Sequence, residues 1–191
     1  ALHWHHSDAD ADAGADALAG SHVALLARGK GFAVFISHSG TVHAYGVSAL
    51  GQLGDGSFTL SAVPVAVAGL GAKTVAHLAC GTAHTLALLD CGDVYTWGCG
   101  HDGQLGLGER TEVSAVPRCV TKLAERAVEV DAGARHSVAL ADSGPAYSWG
   151  DGAAGQLGVG RCTRKMVPFA ISGVPPLSAI ACGSVHTGLL P

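Results

Sequence analysis

Apolar and polar positions along this chain change over in short runs, not with a helical period. His84–Leu89 is a nearly continuous apolar run of strand length, the pattern of a strand covered on both faces. Asp90-Cys91-Gly92-Asp93 supplies a glycine-containing turn. Val94-Tyr95-Thr96-Trp97 then alternates β-branched and aromatic residues, so the two runs predict a hairpin. The same hairpin is predicted by residues 32–36, 38–41 and 42–45, and again by 138–140, 142–144 and 146–149. Pro145 stands at the entry to its strand, where a missing N–H matters least. Residues 75–80, 128–132 and 179–182, with stretches around three Val-Pro pairs, supply two more strands per unit. About four strands in a unit of roughly 50 residues are the proportions of a β-propeller blade, and the expected fold is all-β.

The units are in register. Gly-Gln-Leu-Gly occurs at 51–54, 103–106 and 155–158, each 52 residues after the last. Gly46, Gly98 and Gly150 keep the same interval and follow Tyr45, Trp97 and Trp149. Val-Pro recurs at Val63-Pro64, Val116-Pro117 and Val167-Pro168. Gly-x-x-His-[Thr/Ser] recurs with Gly81, His84 and Thr85, with Gly133, His136 and Ser137, and with Gly183, His186 and Thr187. An earlier, weaker unit places Gly29 in the position of Gly81 and Phe32 where the others have histidine. Residues 22–191 therefore read as about three and a half repeats, and residues 1–21 as an acidic, histidine-rich tail.

Composition narrows the function. The chain has 28 glycines in 191 residues, about twice the usual share of about 7%, and only 5% aromatics, which suits turns and short strands. Its net charge of −4 is accounted for by Asp8, Asp10, Asp12 and Asp16, and the rest is balanced. A phosphate-gripping surface needs a basic excess, so no nucleic-acid partner is expected. No apolar run reaches the roughly 18–20 residues of a membrane span, and no transmembrane segment is expected. None of the six cysteines forms a C-x-x-C pair. Cys80 and Cys182 stand where Ala132 stands in another unit, which marks them as small core residues, reduced in an intracellular setting. The chain opens on Ala1, not Met, which reads as processing and leaves an organelle open as the compartment.

Together these motifs resemble the regulator of chromosome condensation repeat family, whose members build seven-bladed β-propellers. The resemblance covers residues 22–191 and rests on Gly-x-x-His-[Ser/Thr], on the aromatic-Gly pairs, on Gly-Gln-Leu-Gly and on the Val-Pro pairs. The family often has Asn two residues after Trp-Gly; here Ser48, Gly100 and Gly152 stand there, which implies less rigid loops. With about half the family's seven units, the arc leaves blade faces to be covered by more chain, a second copy or protein partners. The founding member's GTPase-exchange activity uses a protruding wedge, and these regular spacings hold no such insertion. The family's ultraviolet-B photoreceptor uses tryptophans at positions that are here Thr82, Ala134 and Ser184, so photoreception is not implied.

Candidate chemistry is sparse. His84, His136 and His186 recur once per unit and so would not converge on one metal; a structural, strand-bridging role is expected. Gly-Gln-Leu-Gly lacks the Gly-Lys-[Ser/Thr] ending of a phosphate loop, and its glycines serve turns. Ser137 recurs as Thr85 and Thr187 and is a repeat marker, not a nucleophile. No catalytic residue, cofactor or metal is expected, and the tail histidines His3, His5 and His6 are weak, adventitious ligands. Function falls to the loops at 47–50, 99–102, 151–154, 106–115 and 158–166. Cys99, His101, Asp102, Asp151, Arg161, Arg164 and Lys165 are the expected partner-binding residues. The expected role is a non-catalytic scaffold or structural subunit of a larger assembly, with an organelle open as its setting. The alternative is a regulatory half-propeller of a GTPase exchange factor or chromatin-binding protein.

Overall fold

The computed structural model describes residues 23–108, 111–160 and 163–191. The expected 1–21 tail and Arg161 lie outside the described residues. Three four-stranded antiparallel sheets follow one another along the chain. The first holds β1 (Val23–Gly29), β2 (Phe32–Ser37), β3 (Val42–Gly46) and β4 (Ser61–Ala66). The second holds β5 (Val75–Cys80), β6 (His84–Leu89), β7 (Val94–Cys99) and β8 (Val113–Cys119). The third holds β9 (Ala127–Ala132), β10 (His136–Ala141), β11 (Ala146–Gly150) and β12 (Lys165–Ala170). A two-stranded sheet of β13 (Ala179–Cys182) and β14 (Thr187–Leu190) ends the arc.

The first strands of the sheets, β1, β5, β9 and β13, lie side by side around the inside of the arc. Each sheet is thus one blade of an open propeller, and the last is the inner half of a blade. The second strands, β6 and β10, are buried along their whole length, as their continuous apolar runs require. The Val-Pro pairs fall in β4, β8 and β12, the edge strands, where proline's missing N–H breaks no ladder.

Gly98 shows why an aromatic is followed by glycine. The ladder between the third and fourth strands shifts register there, its φ is +98°, and a Cβ would sit 2.5 Å from the Ala83 carbonyl oxygen.

Apolar side chains fill the seams between blades, not the interior of any one sheet. Val34 and Leu53 pack with Ala87 and Trp97 across the first seam. Leu86 and Val94 pack with Val130 and Trp149 across the second. Across the third, Val138, Leu140 and Ala146 meet Ile171, Leu177 and Ile180, with no tryptophan. Two of the positions that often hold Asn in the family lie hard against a backbone carbonyl. A Cβ at Gly100 or Gly152 would lie 2.1 or 2.2 Å from the carbonyl oxygen of Thr111 or Thr163. The backbone closes the first of these loops itself, through Gly100 N–H to the Glu112 carbonyl at 2.7 Å.

Candidate functional site

The recurring residues meet at the seams. At the second seam, Ser137 Oγ donates to the Gln104 carbonyl at 2.8 Å, and Trp149 Nε1–H donates to the same oxygen at 2.9 Å. His84 Nε2, from the preceding blade, lies 3.0 Å from Ser137 Oγ. The serine's single hydrogen is already given to Gln104, so His84 must donate from Nε2–H. At the third seam Thr187 Oγ1 donates to the Gln156 carbonyl at 2.7 Å, and His136 Nε2 lies 3.1 Å from that hydroxyl. The histidines therefore bridge blades, not strands of one sheet.

The first seam lacks the histidine. Phe32 has no donor there, Thr85 Oγ1 reaches the Gln52 carbonyl only at 3.5 Å, and Trp97 Nε1–H makes the firm bond at 2.9 Å. His84 and Phe32 both press on a glycine: a Cβ at Gly81 would overlap the His84 ring at 2.1 Å, and one at Gly29 the Phe32 ring at 1.9 Å. That contact explains the Gly-x-x-His spacing.

His186 has the same place in the β13–β14 sheet and is exposed. Burial, with a smaller contribution from the neighbouring His136, pushes the His84 pKa down to about 3. Its Nδ1 is buried without a hydrogen-bond partner, so an imidazolium would strand a donor there. His136 is lowered by burial as well, against the opposing charges of Asp131 and Asp151. A serine beside a histidine suggests a nucleophile, but Ser137 and His84 are both fully buried and committed to each other.

The glutamines have a role that turn chemistry alone did not reveal. Gln52, Gln104 and Gln156 each turn Oε1 back onto the N–H two residues earlier, of Leu50, Asp102 and Ala154, at 2.8–2.9 Å. Their appearance at one offset in three units was the signal.

The expected partner-binding residues divide. Asp102 accepts from Arg164 Nη2 at 2.9 Å and lies 3.6 Å from Nη1 of Arg135, a residue that sequence reasoning missed. These three join the second blade to the third on the loop surface. His101 Nδ1 lies 3.3 Å from the Cys99 thiol, which is buried. Asp151 is occupied locally, accepting from the Ala153 N–H at 3.0 Å. Lys165 Nζ lies 4.2 Å above the Phe169 ring, apart from that cluster. Cys80, Cys91, Cys99, Cys119 and Cys182 are free thiols, and burial pushes Cys80 and Cys182 up to about 12.

The strand-end loops surround an open groove of about 290 Å³ at the inside of the arc. Thr82, Ala134 and Ser184 meet there beside Lys30, and their backbones link the blades: Thr82 N–H to the Ala134 carbonyl at 3.2 Å, Ala134 N–H to that of Ser184 at 2.9 Å. No group of three or more His, Cys, Asp or Glu is placed to hold a metal among the described residues. Among them, too, no helix is long and apolar enough to cross a membrane.

The profile of the regulator of chromosome condensation (RCC1) repeat matches residues 39–88, 91–140 and 143–190. The chain belongs to the RCC1 repeat family. It is similar to the human E3 ubiquitin-protein ligase HERC2, 36% identical over 173 residues, covering 88% of this chain and 4% of that protein. It is also similar to the Arabidopsis thaliana ultraviolet-B receptor UVR8, 31% identical over 155 residues, covering 81% of this chain and 35% of the receptor. Among solved structures, Saccharomyces cerevisiae Prp20p, described with its binding to Gsp1p and histones, superposes with a TM-score of 0.82 at 23% identity. That match covers 88% of this chain and 44% of Prp20p, so this RCC1-repeat chain spans less than half of these relatives.

Proposed function

We propose that this RCC1-repeat chain is a protein-binding module without chemistry of its own, acting as a scaffold or structural subunit of a larger assembly. One observation carries the reading. The repeat's recurring polar side chains in the first two seams, among them His84, Ser137 and Trp149, are buried and bonded to one another or to the Gln104 backbone carbonyl. What the chain offers a partner is therefore its loops. Asp102, Arg135 and Arg164 form the charged centre of that surface, with His101 beside Asp102 on the β7–β8 loop, Asp151 on the β11–β12 loop and Lys165 at the start of β12. Cys99 contributes from below by holding His101.

The test is the native mass of the complex that holds the chain in its own source, by light scattering with mass spectrometry of the components. A heteromeric mass far above 19.0 kDa is expected, with loss of components on Asp102→Ala combined with Arg164→Ala. A chain recovered at 19.0 kDa without partners would overturn the scaffold reading. Accelerated nucleotide release from a small GTPase would favour the regulatory alternative in its place.

A further inference from the structure

The second seam carries charges that the first does without. Asp102, Arg135 and Arg164 meet there, between the second and third blades. At the first seam the same three places, 52 residues earlier, hold Leu50, Ala83 and Glu112, and that seam still closes around Val34, Leu53, Ala87 and Trp97. The Arg135 and Arg164 side chains are 62% and 54% exposed, so water screens their pairing with Asp102 and little stability comes from it. Holding the blades together does not account for the cluster.

Its charges are also unbalanced. Asp102 Oδ1 accepts from Arg164 Nη2 at 2.9 Å, and Oδ2 lies 3.6 Å from Arg135 Nη1, an ion pair too long for a hydrogen bond. One carboxylate thus faces two guanidiniums, one oxygen to each, and leaves one positive charge over. Asp102 is fixed in that place by its backbone, whose N–H donates to Gln104 Oε1 at 2.8 Å. Asp151 lies close by, since its N–H donates to the Arg135 carbonyl at 2.9 Å, but its carboxylate is turned onto the Ala153 N–H at 3.0 Å. Among the described residues, the ion pairs of the two arginines are those with Asp102. Lys165, next to Arg164 and standing over Phe169, adds to the positive side.

We propose that Arg135 and Arg164 together receive a carboxylate side chain from an acidic segment of a partner protein, on the side turned away from Asp102. The inference rests on the scaffold reading and names the chemistry of the partner. Asp102 shows that the two guanidiniums are spaced to take one carboxylate, one oxygen each, and the incoming group repeats that arrangement. Each guanidinium has five N–H donors, enough to serve both carboxylates. The second carboxylate brings two negative charges to two positive ones and relieves the repulsion between the arginines. A nucleic-acid backbone needs a run of cationic contacts, which two arginines on a chain of net charge −4 do not provide. Because the site is exposed, binding weakens steeply with salt.

The test is an anisotropy titration of the full chain with the fluorescein-labelled peptide Glu-Gly-Glu-Gly-Glu at low salt, beside Gln-Gly-Gln-Gly-Gln and a peptide with phosphoserine in place of the central glutamate. Saturable binding of the glutamate peptide is expected, at least tenfold weaker for the glutamine peptide and for the protein with Arg135→Gln and Arg164→Gln. Arg118→Gln with Lys122→Gln removes the same charge from exposed positions at the other end of β8 and leaves binding unchanged. Equal binding of the glutamate and glutamine peptides, equal losses in the two double variants, or no saturable binding overturns the proposal. Tighter binding of the phosphoserine peptide overturns it too, by making a phosphate the ligand. So does binding that appears only after Asp8, Asp10, Asp12 and Asp16 are changed to asparagine, which would make the chain's own acidic residues the occupant. A heteromeric native complex whose chain shows no preference for glutamate sinks this inference and leaves the scaffold reading standing; a chain without partners removes both.

Discussion

Replacing His84 by phenylalanine should flatten the pH dependence of the chain's stability between pH 7 and pH 5. The native imidazole is held neutral, with its pKa down at about 3, whereas in the unfolded chain it titrates near about 6.5. Between these values the unfolded state binds a proton that the folded state refuses. The stabilisation is therefore fully present above about pH 6.5 and is lost as the pH falls. At pH 5 the loss is about 1.5 pH units at about 1.36 kcal/mol each, or about 2 kcal/mol. It comes from His84 alone as long as its native pKa stays well below 5. His136 is shifted in the same direction and adds to the parent's slope.

Phenylalanine suits the test because Phe32 already occupies the equivalent place in the first blade, buried against Gly29 as His84 is against Gly81. The variant loses the bond to Ser137, worth about 1 kcal/mol at every pH. Urea titrations followed by tryptophan fluorescence at pH 7, 6 and 5 give both quantities, with a constant m-value as the check on two-state behaviour. The expected result is a variant about 1 kcal/mol less stable at pH 7 and about 2 kcal/mol less sensitive to the fall to pH 5. A variant that loses as much stability as its parent over that interval would refute the account of His84 as a buried, neutral donor.

Trp149→Phe leaves the Gln104 carbonyl with the Ser137 hydroxyl alone and opens a void in the second seam; denaturant midpoints should show a loss of about 2–3 kcal/mol. Gly106→Ala and Gly40→Ala both place a side chain at positive φ, +68° and +81°, but only the first meets an obstacle, Trp149 at 2.7 Å. Thermal unfolding should put Gly106→Ala at about 3 kcal/mol or more and Gly40→Ala near about 1 kcal/mol. Asp102→Ala removes a pairing with two arginines that are more than half exposed, so its effect on stability should stay within about 1 kcal/mol, measured by urea titration. Alkylation at pH 8 followed by mass spectrometry should modify exposed Cys91 well before Cys80 and Cys182, whose burial keeps their thiols protonated to about 12.

The blade was legible because a propeller repeats one local problem. Each unit must make a buried second strand, a hairpin and a proline-marked edge strand, and the residues for all three lie within about 50 positions. His84–Leu89 is accordingly a strand buried at every position, and each Val-Pro pair lies in an edge strand. The recurrence of His84, Ser137, Gln104 and Trp149 was equally plain in the sequence, but their purpose was not. They act between units: Ser137 and Trp149 donate to the Gln104 backbone carbonyl, an acceptor that no side-chain motif announces, and His84 donates to the Ser137 hydroxyl. Spacing within one repeat carries no information about contacts between repeats.

The loop cluster shows the same division. Asp102 and Arg164 were visible as charged loop residues, yet Arg135 reaches them only because consecutive blades stack. Asp102 has no acidic counterpart in the other units, where Leu50 and Ala154 stand, so no periodicity could mark the cluster. The sequence by itself determined the strands, their order and the blade, since these follow from local patterning repeated in register. Only the tertiary structure decided which side chains lock the seams and which charges meet across them, because those depend on how one sheet packs against the next.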